Sequence, residues 1–130
     1  VLIFLYGSLR DPTLLGQIAG DPRIGRTIRP ARLDGWTRVH IGNWGARYAS
    51  VSRARGAAVS GFVAHLTAAA QPRLIAYEGS AYALKRVRVM VDGKPRMAGV
   101  WVARAVTKRV WTEPADPLRA RVERSTTRHA

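Results

Sequence analysis

The sequence predicts an α+β domain around a mostly antiparallel, strongly curved sheet. Three observations carry this reading. The elements along the 130 residues run strand, helix, several strands, helix, hairpin. The first segment, Val1–Tyr6, is a continuous apolar run, the pattern of a strand buried on both faces. Further on, Val87, Val89 and Val91 alternate with Arg86, Arg88 and Met90 ahead of Asp92-Gly93. That is a hairpin with one apolar and one basic face.

Taken in order, the first strand ends at Gly7-Ser8. Asp11-Pro12 is an N-cap followed by proline at the first helical position, opening a short helix through Leu14, Leu15 and Ile18 that stops at Gly20. Asp21-Pro22 and Gly25 mark an irregular stretch. Ala31–Thr37 reads as a strand with a turn at Asp34-Gly35. His40–Gly56 is rich in Gly, Ser and Arg and reads as loop, with one short strand near Arg47–Val51. Ala57–Leu66 is a strand in which Gly61 signals a bulge or a close backbone approach. Thr67 caps a short helix ending near Tyr77, with Pro72 close to its first turn and Gly79 at the stop. The hairpin returns through Gly99, Trp101 and Ala103, alternating with Ala98, Val100 and Val102. The chain turns polar beyond Thr107. The expected division is a domain over 1–111 and a polar, basic tail over 112–130, with a helical turn or two around Leu118–Glu123.

The length suits one domain with one core, and 47% hydrophobic residues suit a folded chain. No run approaches the roughly 20 apolar residues of a membrane helix. Val1–Tyr6 is too short for a signal-peptide core, and no basic stretch precedes it. The chain opens on Val1 and not on Met, which leaves room for residues ahead of it. There are no cysteines, which removes disulfides and thiolate chemistry and suits a cytoplasmic location. The net charge is +14, and 19 of the 22 basic residues are Arg. That charge is spread along the chain. It could attract nucleic acid without sequence preference, or it is a solvated shell; no basic run is interleaved with stacking aromatics.

The acids are few enough to weigh singly. Asp11 is a cap, Asp21, Asp34 and Asp92 sit in turn dipeptides, and Glu113, Asp116 and Glu123 lie in the tail. Glu78 is different. It falls at the C-terminal end of a predicted helix, where the macrodipole disfavours negative charge. It is either a solvated surface glutamate or a partly desolvated carboxyl with a raised pKa, suited to proton transfer. The segment Tyr6-Gly7-Ser8-Leu9 is the second candidate. A chain leaving a buried strand through Gly-Ser into a helix exposes several N–H groups in one concavity, unless it is an ordinary turn. Ser8 lacks the elbow pattern of a hydrolase nucleophile. His40, His65 and His129 show no metal spacing; His65 is expected to be structural and His129 a tail residue.

Together these segments resemble the gamma-glutamyl cyclotransferase-like family, also called avirulence-induced-gene-like. The first block reads Phe4-Leu5-Tyr6-Gly7-Ser8-Leu9-Arg10. The second reads Ala76-Tyr77-Glu78-Gly79-Ser80-Ala81-Tyr82, followed by Val87, Val89 and Ala98-Gly99-Val100-Trp101-Val102. Val59-Ser60-Gly61-Phe62-Val63 resembles the central strand of the family, so the likeness covers about residues 1–104. The resemblance implies a small mixed, mostly antiparallel β-barrel with short helices packed outside. It implies Glu78 as catalytic acid/base, with Tyr6, Gly7, Ser8, Leu9 and Tyr82 binding a gamma-glutamyl substrate. The implied reaction is closure of a gamma-glutamyl amide to 5-oxoproline and a free amine, which needs no metal or cofactor. The chain departs from the family pattern at Ile75-Ala76, at Leu84 and over Tyr48–Gly56, near where the leaving amine would sit. Two alternatives stand beside the enzyme: a nonenzymatic basic module of the same fold with an anionic partner, and a ligand-free member acting by protein contact. The intact Glu78 favours the enzyme; the charge favours the binding module.

Overall fold

The computed structural model describes residues 1–41, 49–104 and 108–110. The elements are β1 (Leu2–Leu5), a 3₁₀ turn (Ser8–Arg10), α1 (Pro12–Ala19), α2 (Pro22–Arg26), β2 (Arg29–Ile41) and β3 (Ala49–His65). They continue with α3 (Ala70–Glu78), β4 (Tyr82–Val91), β5 (Lys94–Ala103) and β6 (Lys108–Val110). Each strand in the order β3-β1-β5-β4-β2 bonds to the next, and β2 bonds back to β3, so five strands close into a barrel. β6 adds to the far end of β2. Ile3 opposite Gly99 makes the β1–β5 pairing parallel, while the others are antiparallel. This is the α+β barrel with short outer helices that the resemblance implies.

The unbroken apolar run of β1 has a direct cause. Ile3 and Leu5 face the helices, packing with Leu9, Leu15, Leu74 and Trp101. Phe4 and Tyr6 face the barrel interior, with Leu33, Val89 and Val100. One strand thus serves two cores. The hairpin keeps its alternation: Val87, Val89 and Val91 are buried inside, Arg86 and Arg88 are exposed, and Asp92 (φ 53) and Gly93 (φ 74) make the turn. Gly61 is a close approach, since a Cβ there would stand 2.2 Å from the Leu5 carbonyl oxygen.

Asp11 caps α1 as expected, its carboxylate accepting from the Thr13 N–H at 3.0 Å. Asp21 repeats the device, and the stretch expected to be irregular is the five-residue helix α2. The largest correction concerns β2 and β3. Asp34-Gly35 is no turn, and most of His40–Gly56 that is described is strand. The register jumps from Asp34 opposite Ala58 to Trp36 opposite Arg53, so β3 spends four residues where β2 spends one. Gly35 (φ 83) and Gly56 (φ 81) take up this bulge. The helix expected to start at Thr67 starts at Ala70, with the Thr67 hydroxyl accepting from the Ala70 N–H at 3.2 Å. Trp44, Arg47, Tyr48 and the tail from 111 onward lie outside the described residues. Among the described residues, no helix is long and apolar enough to cross a membrane.

Candidate functional site

Ala70, Leu74 and Glu78 recur every fourth residue along α3, and all three are buried. That spacing puts them on one face, so the stripe that docks α3 on the barrel ends in a carboxyl. Gly79 (φ 83) stops the helix there, its N–H bonding to the Ile75 carbonyl at 3.1 Å. Glu78 is 1% exposed. Both its carboxyl oxygens are buried without a hydrogen-bond partner among the described residues. Burial pushes its pKa up from 4.5 to about 8. Of the two readings open from sequence, the desolvated carboxyl is the one the fold builds.

Tyr6 follows β1 directly and is 1% exposed. Its hydroxyl donates to the Trp101 carbonyl at 2.6 Å. Ser50 is also fully buried. The Ser50 oxygen accepts from the Ala103 N–H at 2.9 Å, and its hydroxyl donates to the Val51 carbonyl at 3.4 Å. Two bonds to β5 thus sit close together, one from the end of β1 through the Tyr6 hydroxyl and one from β3 through Ser50. Burial holds the Tyr6 hydroxyl well above the usual tyrosine range, and neighbouring Tyr82 and Glu78 add to this. Ser50 and Arg38 act in the opposite sense. These mutual influences gather Tyr6, Arg38, Ser50, Glu78 and Tyr82 at one end of the barrel.

The loop joins the same place. The Ser8 hydroxyl lies 3.3 Å from the Tyr77 hydroxyl, next to Glu78. Gly7 and Ser8 carbonyls accept from the Arg10 and Asp11 N–H groups at 3.0 and 3.2 Å, which winds the 3₁₀ turn. A helical turn cannot itself satisfy its first N–H groups. The Leu9 side chain is fully buried in the core between barrel and helices, so only its backbone is available to a ligand. Tyr82 opens β4, opposite Ala103, and is buried. His65 ends β3 and is exposed, opposite Leu2 and away from this cluster.

Sequence reasoning did not single out Arg38, Ser50 or Tyr77 for the site. Tyr77 was legible as the aromatic beside Glu78. Arg38 was legible only once β2 is known to continue past Gly35, because it then shares a strand face with Trp36. Ser50 fell in a segment read mostly as loop. A groove of about 600 Å³ runs between α1 and α2, past Thr13, Gln17 and Arg26. It contains none of the candidate residues. Among the described residues, no group of three or more His, Asp or Glu could hold a metal ion.

The family model described as gamma-glutamyl cyclotransferase, AIG2-like, matches residues 3–119. No curated protein matches the sequence. Among solved structures, one named gamma-glutamyl cyclotransferase is 18% identical with a TM-score of 0.67, over 82% of this chain and 68% of its own. An Arabidopsis thaliana protein solved in solution is 20% identical with a TM-score of 0.67, over 95% of this chain and 83% of its own. The Bacillus subtilis protein YkqA is 21% identical with a TM-score of 0.71, over 95% of this chain and 46% of its own. At these identities the structural likeness shows the barrel. The family match spans most of the chain and takes in both the Tyr6–Leu9 loop and the Tyr77–Gly79 helix end, and on it the chain belongs to the gamma-glutamyl cyclotransferase, AIG2-like family.

Proposed function

We propose that the protein converts a gamma-glutamyl amide into 5-oxoproline and a free amine. The observation that carries this reading is Glu78: one buried carboxyl, with a pKa near 8, beside a loop able to hold a small polar substrate. The substrate brings its own nucleophile, the α-amine, so the protein supplies geometry and proton transfer. Holding the amine against the γ-carbonyl makes ring closure intramolecular, a large part of the acceleration. In its ionised form Glu78 takes a proton from the α-ammonium. The freed nitrogen attacks the γ-carbonyl carbon, and the carbonyl oxygen takes up negative charge. Collapse breaks the bond to the leaving nitrogen. The ring nitrogen sheds two protons in all and keeps one; the leaving nitrogen gains two and departs as ammonium. Glu78 carries protons one at a time and ends as it began. The backbone N–H groups of Gly7, Ser8 and Leu9 are the donors proposed to hold the substrate's carboxylate or carbonyl oxygen. The Tyr6 and Tyr82 rings would wall the same end of the barrel.

The test is direct. Purified protein is incubated with a panel of gamma-glutamyl amines and peptides, and 5-oxoproline is followed by chromatography. Release from at least one substrate, lost on changing Glu78, supports the proposal. No release from any of them, at protein concentrations comparable with substrate, sinks it in favour of a binding module of the same fold.

A further inference from the structure

Arg38 lies on β2 two residues beyond Trp36, and opposite Val51 on β3. Trp36 and Val51 both belong to the core cluster of the barrel interior. Residues two apart on a strand, and residues directly opposite in a ladder, share a face. The interior face is therefore where Arg38 sits. Exposure agrees. Arg38 is half-buried with its Nε out of solvent, whereas every other Arg and Lys described between residues 1 and 104 is exposed. The hairpin half that carries Arg38 reaches the site, because Ser50, one residue before Val51, binds the Ala103 N–H at 2.9 Å. Further out on the same face, Arg53 lies over the Trp36 ring at 5.0 Å, which extends the positive charge toward solvent.

We infer that Arg38 anchors a carboxylate of the substrate in the site that holds Glu78. The inference rests on the cyclotransferase reading and adds a residue to it. A guanidinium is charged at all working pH values and matches a carboxylate with two parallel N–H donors. Glu78 is largely protonated at neutral pH, so the fixed charge among the groups gathered at Tyr6 is that of Arg38. Such a site favours an anionic ligand group. Two sources fit: the α-carboxylate of the gamma-glutamyl group, and the carboxylate of an amino acid serving as the leaving amine.

The experiment compares wild type with Arg38→Met on two probes and two substrates. Binding of 5-oxoproline and of 2-pyrrolidinone, which lacks the carboxylate, is measured by calorimetry. Turnover is measured on gamma-glutamyl-alanine and gamma-glutamyl-ethylamine. If the α-carboxylate is anchored, wild type prefers 5-oxoproline by roughly 10- to 100-fold, the span of a charge-assisted pair, and Arg38→Met abolishes the preference. Both substrates then lose kcat/KM by that same factor. If the leaving amino acid's carboxylate is anchored, only gamma-glutamyl-alanine loses. Unchanged binding and turnover in Arg38→Met overturns the inference and leaves the cyclotransferase reading standing. Absence of binding and turnover in wild type ends both. Should Arg38→Met not fold, Arg38→Lys keeps the charge without the fork, and a loss on the carboxylate-bearing ligand of about tenfold is expected. Arg38→Lys that binds and turns over like wild type overturns the inference.

Discussion

At the scale of single residues, Glu78 sets two opposed demands. In the proposed mechanism its burial serves proton transfer, and it strains stability. The folded state holds its proton more tightly than the unfolded chain does. Its contribution is therefore full below about pH 4.5 and is lost as pH rises through about 8. The shift corresponds to an upper figure of about 5 kcal/mol. Glu78→Gln should thus melt close to wild type at pH 4 and increasingly above it toward pH 9, read from paired denaturation curves. A constant offset across this range would mean that folding does not shift the Glu78 pKa. In turnover the same variant should lose at least about 10²-fold, the lower figure for a general acid/base. The wild-type kcat/KM should rise with pH and level off above about 8, and Glu78→Gln should lack that limb. Turnover of Glu78→Gln at the wild-type rate would remove the residue from the mechanism. The loop should act through its backbone. Ser8→Ala forfeits the 3.3 Å contact with Tyr77 and should cost less than about tenfold in kcat/KM. Gly7→Val should abolish turnover by blocking close approach of the substrate. Covalent labelling of Ser8, with Ser8→Ala inactive, would point to a serine hydrolase instead.

At the scale of elements, close backbone approaches fix neighbouring elements on each other, β3 on β1 within the barrel and α2 on α1 outside it. A Cβ at Gly61 would meet the Leu5 carbonyl oxygen at 2.2 Å, and one at Gly25 the Pro12 carbonyl oxygen at 2.1 Å. Backbone cannot swing aside, so Gly61→Ala and Gly25→Ala should each destabilise by at least about 1–3 kcal/mol. At Gly99 the nearest atoms are the ends of the Leu84 and Ile3 side chains, and Gly99→Ala should cost less. Urea midpoints of the three variants check the order; equal loss would show that the close approaches have slack. The same elements show what was legible. β1, the α1 cap, the Asp92-Gly93 hairpin and the end of α3 were readable because each is local: a periodicity, a cap or a turn pair. The strands β2 and β3 were legible only in pieces, at Ala31–Thr37, near Arg47–Val51 and at Ala57–Leu66. Gly35 and Gly56 are punctuation in sequence, yet here they face a common bulge and the ladder continues past them. Only pairing across the bulge shows that Arg-rich, Gly-rich segments are strand. The site was legible to the same extent. Tyr6 and Glu78 sit on locally coded elements, while Arg38 and Ser50 are delivered by the unrecognised half of the hairpin.

At the scale of the whole molecule, the core seen among the described residues is built from residues up to Ala103. The interior and outer clusters both close with β5, and β6 adds an edge pairing, Val39 opposite Val110. Removal of residues 113–130 should leave a cooperative melt; loss of soluble protein would give the tail a place in the core. That the family match runs on to residue 119 makes this cut a demanding one. The charge poses the remaining question. With the exception of Arg38, the Lys and Arg side chains described between residues 1 and 104 are exposed, and they lie on the helices as well as on the barrel strands. Some are already engaged on the surface: Arg23 with Asp21, Arg29 with Asp92 and Arg32 with Asp34. A net charge of +14 spread in this way attracts polyanions through counterion release and reads no sequence. Any binding to DNA or RNA should therefore fall steeply between about 50 and 200 mM salt and be equal for unrelated sequences of one length. Fluorescence anisotropy with two such oligonucleotides over a salt series measures both. Glu78→Gln should bind as wild type does, because its carboxyl is buried and lies apart from the exposed cations. A sequence preference that persists at high salt would mean that the surface carries a recognition element, and the diffuse-charge account would fail.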